Sequence, residues 1–176
     1  EQIATANNQQ APLWLRVNTA RISREAYRQR LLSEGVEAQT PEFPVAALRL
    51  DDMRAPEILP GWREGEISVQ DGAAQVAGEA LPFAADARVL DACAAPGGKT
   101  AQLAMRLGET GELCAIDVDA RRLRKIAENL RRLGLASERV RLLAADASAA
   151  SSWWDGRAFD AILLDAPCTA TGTIRR

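Results

Sequence analysis

Apolar and polar positions fall into two regimes along this chain. Up to residue 65, short apolar runs at 13–18 and 45–50 read as strands around one helix at 23–34, with Ser23 placed to cap it and Gly35 to end it. A connection marked by Pro56, Pro60, Gly61 and Gly65 follows and reads as a linker or surface loop. From residue 66 the pattern becomes strand–helix alternation. A short strand at 67–70 leads to Asp71, which caps an Ala-rich helix to about 81. Four apolar runs then follow at 88–92, 112–116, 140–144 and 159–164, separated by helix-like stretches at 98–108, 119–133 and 148–155. The middle helix is the clearest: Leu123, Ile126, Ala127, Leu130 and Leu133 share one face, Asp119 caps it and Gly134 stops it. Alternation of this kind predicts right-handed βαβ units, a parallel sheet covered on both faces, and a ligand site at the carboxyl ends of the strands. The expected fold class is α/β, with a small α/β module over 1–65 and the first four strands of a Rossmann-like domain over 66–176.

The chain has 176 residues, 47% hydrophobic and 26% charged, an ordinary globular composition. No apolar run approaches the roughly 18 residues of a membrane span, and no membrane partner is expected. Three cysteines without a single His give neither a disulfide framework nor metal-ligand spacing, so no metal is expected and the cytoplasm is the expected compartment. The chain starts without Met and its last residues read as loop, so it is expected to be a piece of a longer protein. The net charge of -2 excludes a uniformly basic polyanion binder, but the distribution is uneven. Residues 1–32 hold five Arg against two Glu, residues 33–91 hold four basic and twelve acidic side chains, and residues 92–176 hold thirteen basic and ten acidic. A nucleic acid can be held locally despite the overall sign.

Each of the four later strands runs into an Asp: Asp91, Asp117, Asp146 and Asp165. One such Asp is routine helix capping; four in succession line one edge of a sheet with carboxylates. Between the first two lies Asp91-Ala-Cys-Ala-Ala-Pro-Gly-Gly-Lys-Thr100, whose Gly97 and Gly98 allow a tight turn and close approach of backbone to a ligand. Gly98-Lys99-Thr100 matches the end of a P-loop, but the first glycine of that motif would fall at Cys93, so the phosphate cradle is incomplete. A nucleoside cofactor instead needs an acid about 20 residues on, at the end of the next strand, to take ribose hydroxyls, and Asp117 stands there. The dinucleotide Gly-x-Gly-x-x-Gly spacing is absent. These features leave S-adenosylmethionine (SAM), with Asp117 for the ribose, Asp146 on the adenine side, and oxygen atoms nearby for the sulfonium. The fourth strand ends Asp165-Ala-Pro-Cys168, where a methyltransferase faces its substrate. A thiolate adding to carbon 6 of a pyrimidine makes carbon 5 nucleophilic, and Asp165 can bond the cytosine edge. From chemistry alone Cys168 could serve as nucleophile, as a helper, or as a buried filler.

The two segments 91–100 and 165–172 resemble the RNA 5-methylcytosine methyltransferases. The continuation Thr173-Ile-Arg-Arg176 and the upstream Leu13-Trp-Leu-Arg-Val-Asn18 and Ile67-Ser-Val-Gln-Asp71 are similar to the bacterial small-subunit rRNA methyltransferase B (RsmB/Sun/Fmu) branch. The resemblance implies a class I SAM-dependent methyltransferase. Its pocket is built by Cys93, Ala94, Ala95, Pro96, Gly97, Gly98 and Lys99 with Asp117, Asp146 and Asp165. It implies methylation of carbon 5 of a cytosine in 16S rRNA through a covalent cysteine–cytosine adduct. It also implies that the attacking thiol belongs to a Thr-Cys-Ser motif, which these 176 residues lack, and that Cys168 assists product release. The first 65 residues resemble an RNA-binding module, in which Arg16, Arg21, Arg24, Arg28 and Arg30 are phosphate-contact candidates or plain surface residues. Arg175 and Arg176 are further candidates, and the basic run on the 119–133 helix reads as an outer solvated face. A tRNA cytosine methyltransferase and an RNA-binding relative without catalysis stay open as alternatives, since both keep the same core motifs.

Overall fold

A computed structural model describes residues 11–52 and 54–167. The elements in chain order are β1 (Leu13–Val17), α1 (Arg24–Ser33), β2 (Ala47–Leu50), β3 (Ile67–Val69), α2 (Gly72–Ala80), β4 (Arg88–Ala92), α3 (Gly98–Arg106), β5 (Glu112–Asp117), α4 (Ala120–Leu133), β6 (Val140–Ala144) and β7 (Ala161–Leu164). Two sheets result. The first is antiparallel in the order β2-β1-β3; the second is parallel in the order β6-β5-β4-β7.

Local chemistry places the helices. The Ser23 hydroxyl accepts from the Ala26 amide, and the Asp71 and Asp119 carboxylates accept from the first amides of α2 and α4. Gly134 ends α4 in the left-handed conformation, φ 75°. The amphipathic face read from the sequence buries Leu123, Ile126, Leu130 and Leu133 against Ala101 and Ala115, covering one side of the parallel sheet. The other side is covered by the 145–159 crossover through Trp153 and Phe159, packed near Leu90 and Ile116. That crossover is not the helix expected at 148–155. Only a single 3₁₀ turn forms, Ala150–Ser152, because Asp146 captures the Ser148 amide and hydroxyl and then accepts from the Trp153 indole.

The expected boundary at 65/66 cuts through a sheet. Strand β3, assigned from sequence to the second unit, is hydrogen-bonded to β1 along Leu15–Val69 to Val17–Ile67. A buried polar seam joins the two sheets. Asn18 donates to the carbonyls of Gly65 (2.9 Å) and Leu133 (3.0 Å), and Arg132 donates to Trp62 (2.6 Å) and Ile67 (2.9 Å) while stacking over the Trp62 ring. Gly65 has φ +71°, and a Cβ there would lie 2.0 Å from the Arg132 carbonyl oxygen, so only glycine lets the two units approach this closely.

Because β5 and β6 extend from one side of β4 while β7 is added on the other, the strand order reverses between β4 and β7, although all four strands stay parallel. An open parallel sheet binds ligands outside the carboxyl ends at such a switch. Here those ends carry Asp91, Cys93 and Asp165.

Candidate active site

The glycine loop leaves β4 through Cys93, the one non-glycine residue with positive φ (61°) among those described. The Ala94 amide is held by the Ile116 carbonyl (2.9 Å) and the Gly97 amide by the Ala94 carbonyl (2.8 Å), closing the turn. Gly97 has φ +97°, and a Cβ there would sit 2.9 Å from the Ile126 side chain. Glycine is required twice over, by conformation and by space.

Asp117 points at this turn. Its Oδ2 accepts from the Ala95 amide at 3.1 Å and its Oδ1 from the Asp119 amide at 3.0 Å, with the carboxylate 4% exposed at residue level. A cavity of about 320 Å³ opens beside it, lined by Cys93, Ala95, Asp117, Asp146, Asp165 and Pro167 among others. Residues from the ends of all four parallel strands therefore meet at one cavity, the arrangement expected from the sequence. A second compartment of similar volume lies across the loop and is lined by Gln70, Asp71, Asp91, Ala94, Pro96, Gly98, Lys99 and Asp165. A larger cavity, about 530 Å³, opens in the small module, where Arg28, Arg49 and Arg54 face Glu37, Asp51 and Asp52 and the charges cancel.

The acids differ in state. Asp91 is 1% exposed, and burial pushes its carboxyl up to about 6, opposed by the Thr100 hydroxyl, which donates to it at 2.6 Å. Asp146 is exposed and held below the usual carboxylate range by the Ser148 hydroxyl and amide. Asp165 takes a 2.6 Å ion pair from Lys99. Thr100 matters for the rival reading. In a P-loop its hydroxyl would face a magnesium ion; here it is turned inward onto Asp91, and three carboxylates face the cavity where a triphosphate would need cations.

Two arginines read from sequence as part of an outer solvated face make contacts that the sequence did not suggest, although Arg122 remains half exposed. Arg122 curls back, donating to the Ala95 carbonyl (2.9 Å) and standing 3.6 Å from Asp117, so it rims the cavity. Arg132 is spent on the seam described above. Arg16 also departs from expectation. It is 2% exposed and donates to Gln70 and, at 2.7 Å, to the Gly98 carbonyl, so it has no surface to offer a phosphate. Of the other candidates, Arg28 pairs with Glu25 and Arg30 with Glu66, while Arg21 and Arg24 bond the Leu133 and Pro41 carbonyls. Cys168, Arg175 and Arg176 lie outside the described residues.

Residues 79–176 match the family model described as 16S rRNA methyltransferase RsmB/F, and residues 1–55 match that of an RsmF/B-like ferredoxin-like domain. The chain belongs to the RsmB/F family. Its curated relatives include the ribosomal RNA small subunit methyltransferase B of Xanthomonas campestris, 48% identical over all 176 residues, and that of Xylella fastidiosa, 49% identical over the same span. The chain spans about 40% of the length of the first and 41% of the second. Among solved structures, a methyltransferase homologue from Pyrococcus horikoshii superposes with a TM-score of 0.86 at 34% identity, covering 99% of this chain and 56% of that one. The Rossmann-like fold with a preceding small α/β module is thus that of the RsmB/F family. The stretch between the two matched segments, 56–78, contains β3 and the seam contacts of Trp62, Gly65 and Ile67, so the boundary expected at 65/66 falls inside the part that joins the two units.

No described helix is long and apolar enough to cross a membrane. Among the described residues, no group of three or more His, Cys, Asp or Glu side chains is arranged to hold a metal ion.

Proposed function

We propose that the protein of which these residues form a part transfers the methyl group of SAM to carbon 5 of a cytosine in 16S rRNA. The observation that carries the reading is the bond between the Asp117 carboxylate and the turn at Ala95, which makes the acid and the glycine loop two walls of one cavity. The donor set suits SAM: a buried carboxylate for ribose hydroxyls, Asp146 on the adenine side, free amides at the start of α3, and an excess of negative charge for a sulfonium. When bound, SAM supplies an electrophilic methyl group on sulfur. Family membership and the names of the relatives support rRNA as the substrate.

The chain's own residues then divide the work. Asp117 orients the ribose, and the amides of the loop orient the remainder of the cofactor. Asp165, paired with Lys99, accepts from the cytosine edge. The ammonium fixes the direction of that carboxylate. Cys168 follows Asp165 by three residues and assists release of methylated RNA, while the attacking thiol belongs to a Thr-Cys-Ser motif of the longer protein. Thermal shift with SAM and with ATP tests the cofactor: stabilisation by SAM alone is expected, and stabilisation by ATP alone overturns the reading. Mapping 5-methylcytosine in RNA from cells with and without the gene tests the substrate; loss of a tRNA site instead of a 16S site would reassign it.

A further inference from the structure

Arg16 lies on β1 of the small module, 82 residues from Gly98 in sequence, yet its guanidinium bonds the carbonyl of the first residue of α3. The same Nη1 also bonds Gln70, whose amide donates to Gln102 on α3 at 3.2 Å. Gln102 in turn donates to the Gln75 carbonyl at 2.7 Å, and Gln75 donates back to the carbonyls of Leu15 and Gln70. This closed network runs from the small sheet to the helix that begins the cofactor loop. Arg16 has no carboxylate partner among the described residues, and its Nε and Nη2 are buried without acceptors. Burial lowers its pKa to about 10, which leaves it charged at neutral pH. Glu79 opposes that shift through space without pairing with the guanidinium, and a buried cation held only by neutral acceptors is costly. Structural docking alone does not call for it, because Asn18 and Arg132 already join the units through neutral carbonyls.

We infer that Arg16 is a positioning residue for the cofactor loop, fixing the Gly98–Lys99 peptide so that the small module sets the loop's binding geometry. The peptide unit is planar and trans, so holding the Gly98 oxygen from behind fixes the Lys99 amide on the opposite side of the same plane. That amide is one of the free donors at the start of α3, and Gly98 and Lys99 both line the compartment beside Asp91. Without Arg16 the loop keeps its fold but samples other orientations of this donor and of the Lys99 side chain, which carries Asp165.

The inference rests on the SAM reading above. Its test compares Arg16→Met, Arg16→Lys and Arg132→Met in the full-length protein, measuring SAM affinity by calorimetry at a temperature where circular dichroism shows each folded. Arg16→Met is expected to weaken SAM about tenfold, equivalent to about 1.4 kcal/mol. Arg16→Lys, whose ammonium reaches one acceptor, should recover only in part, to about threefold weaker than the unaltered protein. Arg132→Met removes the Trp62 and Ile67 contacts from the same seam and should lower the melting midpoint while leaving SAM affinity within about twofold. Wild-type affinity in Arg16→Met overturns the inference, and so does equal weakening by Arg132→Met, which would make the effect one of docking. If Arg16→Met does not fold, Arg16→Lys decides: weaker SAM binding and faster amide exchange over 97–101 are expected, and unchanged values for both overturn it. Failure of the unaltered protein to bind SAM would remove the functional reading and this inference together.

Discussion

Asp91→Asn isolates the charge beneath the cofactor loop, and the structure sets both the sign and the size of its effect. Asp91 is 1% exposed and its carboxyl sits at about 6 in the fold against an ordinary 3.8. Burial raises it most. The Thr100 hydroxyl and Lys99 oppose that rise, while Asp165 and Asp117 add to it. Between those two values the folded chain binds the proton that the unfolded chain has released. Stability from this group is therefore complete below about pH 4 and is lost as pH rises to about 6. The loss converts to about 3 kcal/mol, at 1.36 kcal/mol per unit. Asparagine carries no such penalty, and its carbonyl can still accept from Thr100. The difference between variant and unaltered protein, from urea unfolding with equal m-values, should be near zero at pH 3.5 and reach up to about 3 kcal/mol in favour of the variant at pH 7. Taking the difference cancels every other titrating group common to both. The gain should be matched by weaker SAM binding, because a sulfonium loses a nearby carboxylate. A difference flat across pH, or one that grows toward acid, would refute the assignment of the buried charge to Asp91.

Asp117→Ala removes a charged acceptor from two candidate ribose bonds. SAM affinity by calorimetry should fall about tenfold to a hundredfold, and unchanged affinity would remove Asp117 from the pocket. Gly97→Ala forces a left-handed alanine against Ile126, so urea unfolding should show a loss of at least about 1–2 kcal/mol, and wild-type stability would contradict the turn described. Cys168→Ala in the full-length protein should accumulate a covalent enzyme–RNA adduct on denaturing gels, whereas full turnover without adduct would contradict a role in product release.

What the sequence made legible was whatever short-range chemistry decides. Helix α4 ran from its Asp119 cap to its Gly134 stop because its apolar face repeats without interruption. The pairing of Asp117 with the glycine turn was readable from spacing alone, since an acid at the next strand end must face the crevice. The misses share a different origin. Arg16, Arg122 and Arg132 look like surface residues in any window, and what buries or turns them are carbonyls 82, 27 and 65–70 residues away. Strand β3 was recognised as a strand but credited to the wrong sheet, because periodicity identifies a strand without naming its neighbour. The 148–155 stretch looked helical from its alanines, but Asp146 captures the next turn locally and Trp153 packs under the sheet.

The loop itself shows why those distant partners matter for function. Its turn carries few side chains that could define a geometry, and glycine is the residue most costly to order. Four of its peptide groups are instead fixed from outside: the Ala94 amide by β5, the Ala95 amide by Asp117, the Ala95 carbonyl by Arg122, and the Gly98 carbonyl by Arg16. A loop ordered before its ligand arrives does not spend binding energy on ordering itself, so affinity is set by the contacts alone. On the proposed reading the same argument gives the small module a part in the cofactor site, since one of the tethers is anchored on β1, and residues 66–176 separated from that module should carry the motifs for binding without the geometry.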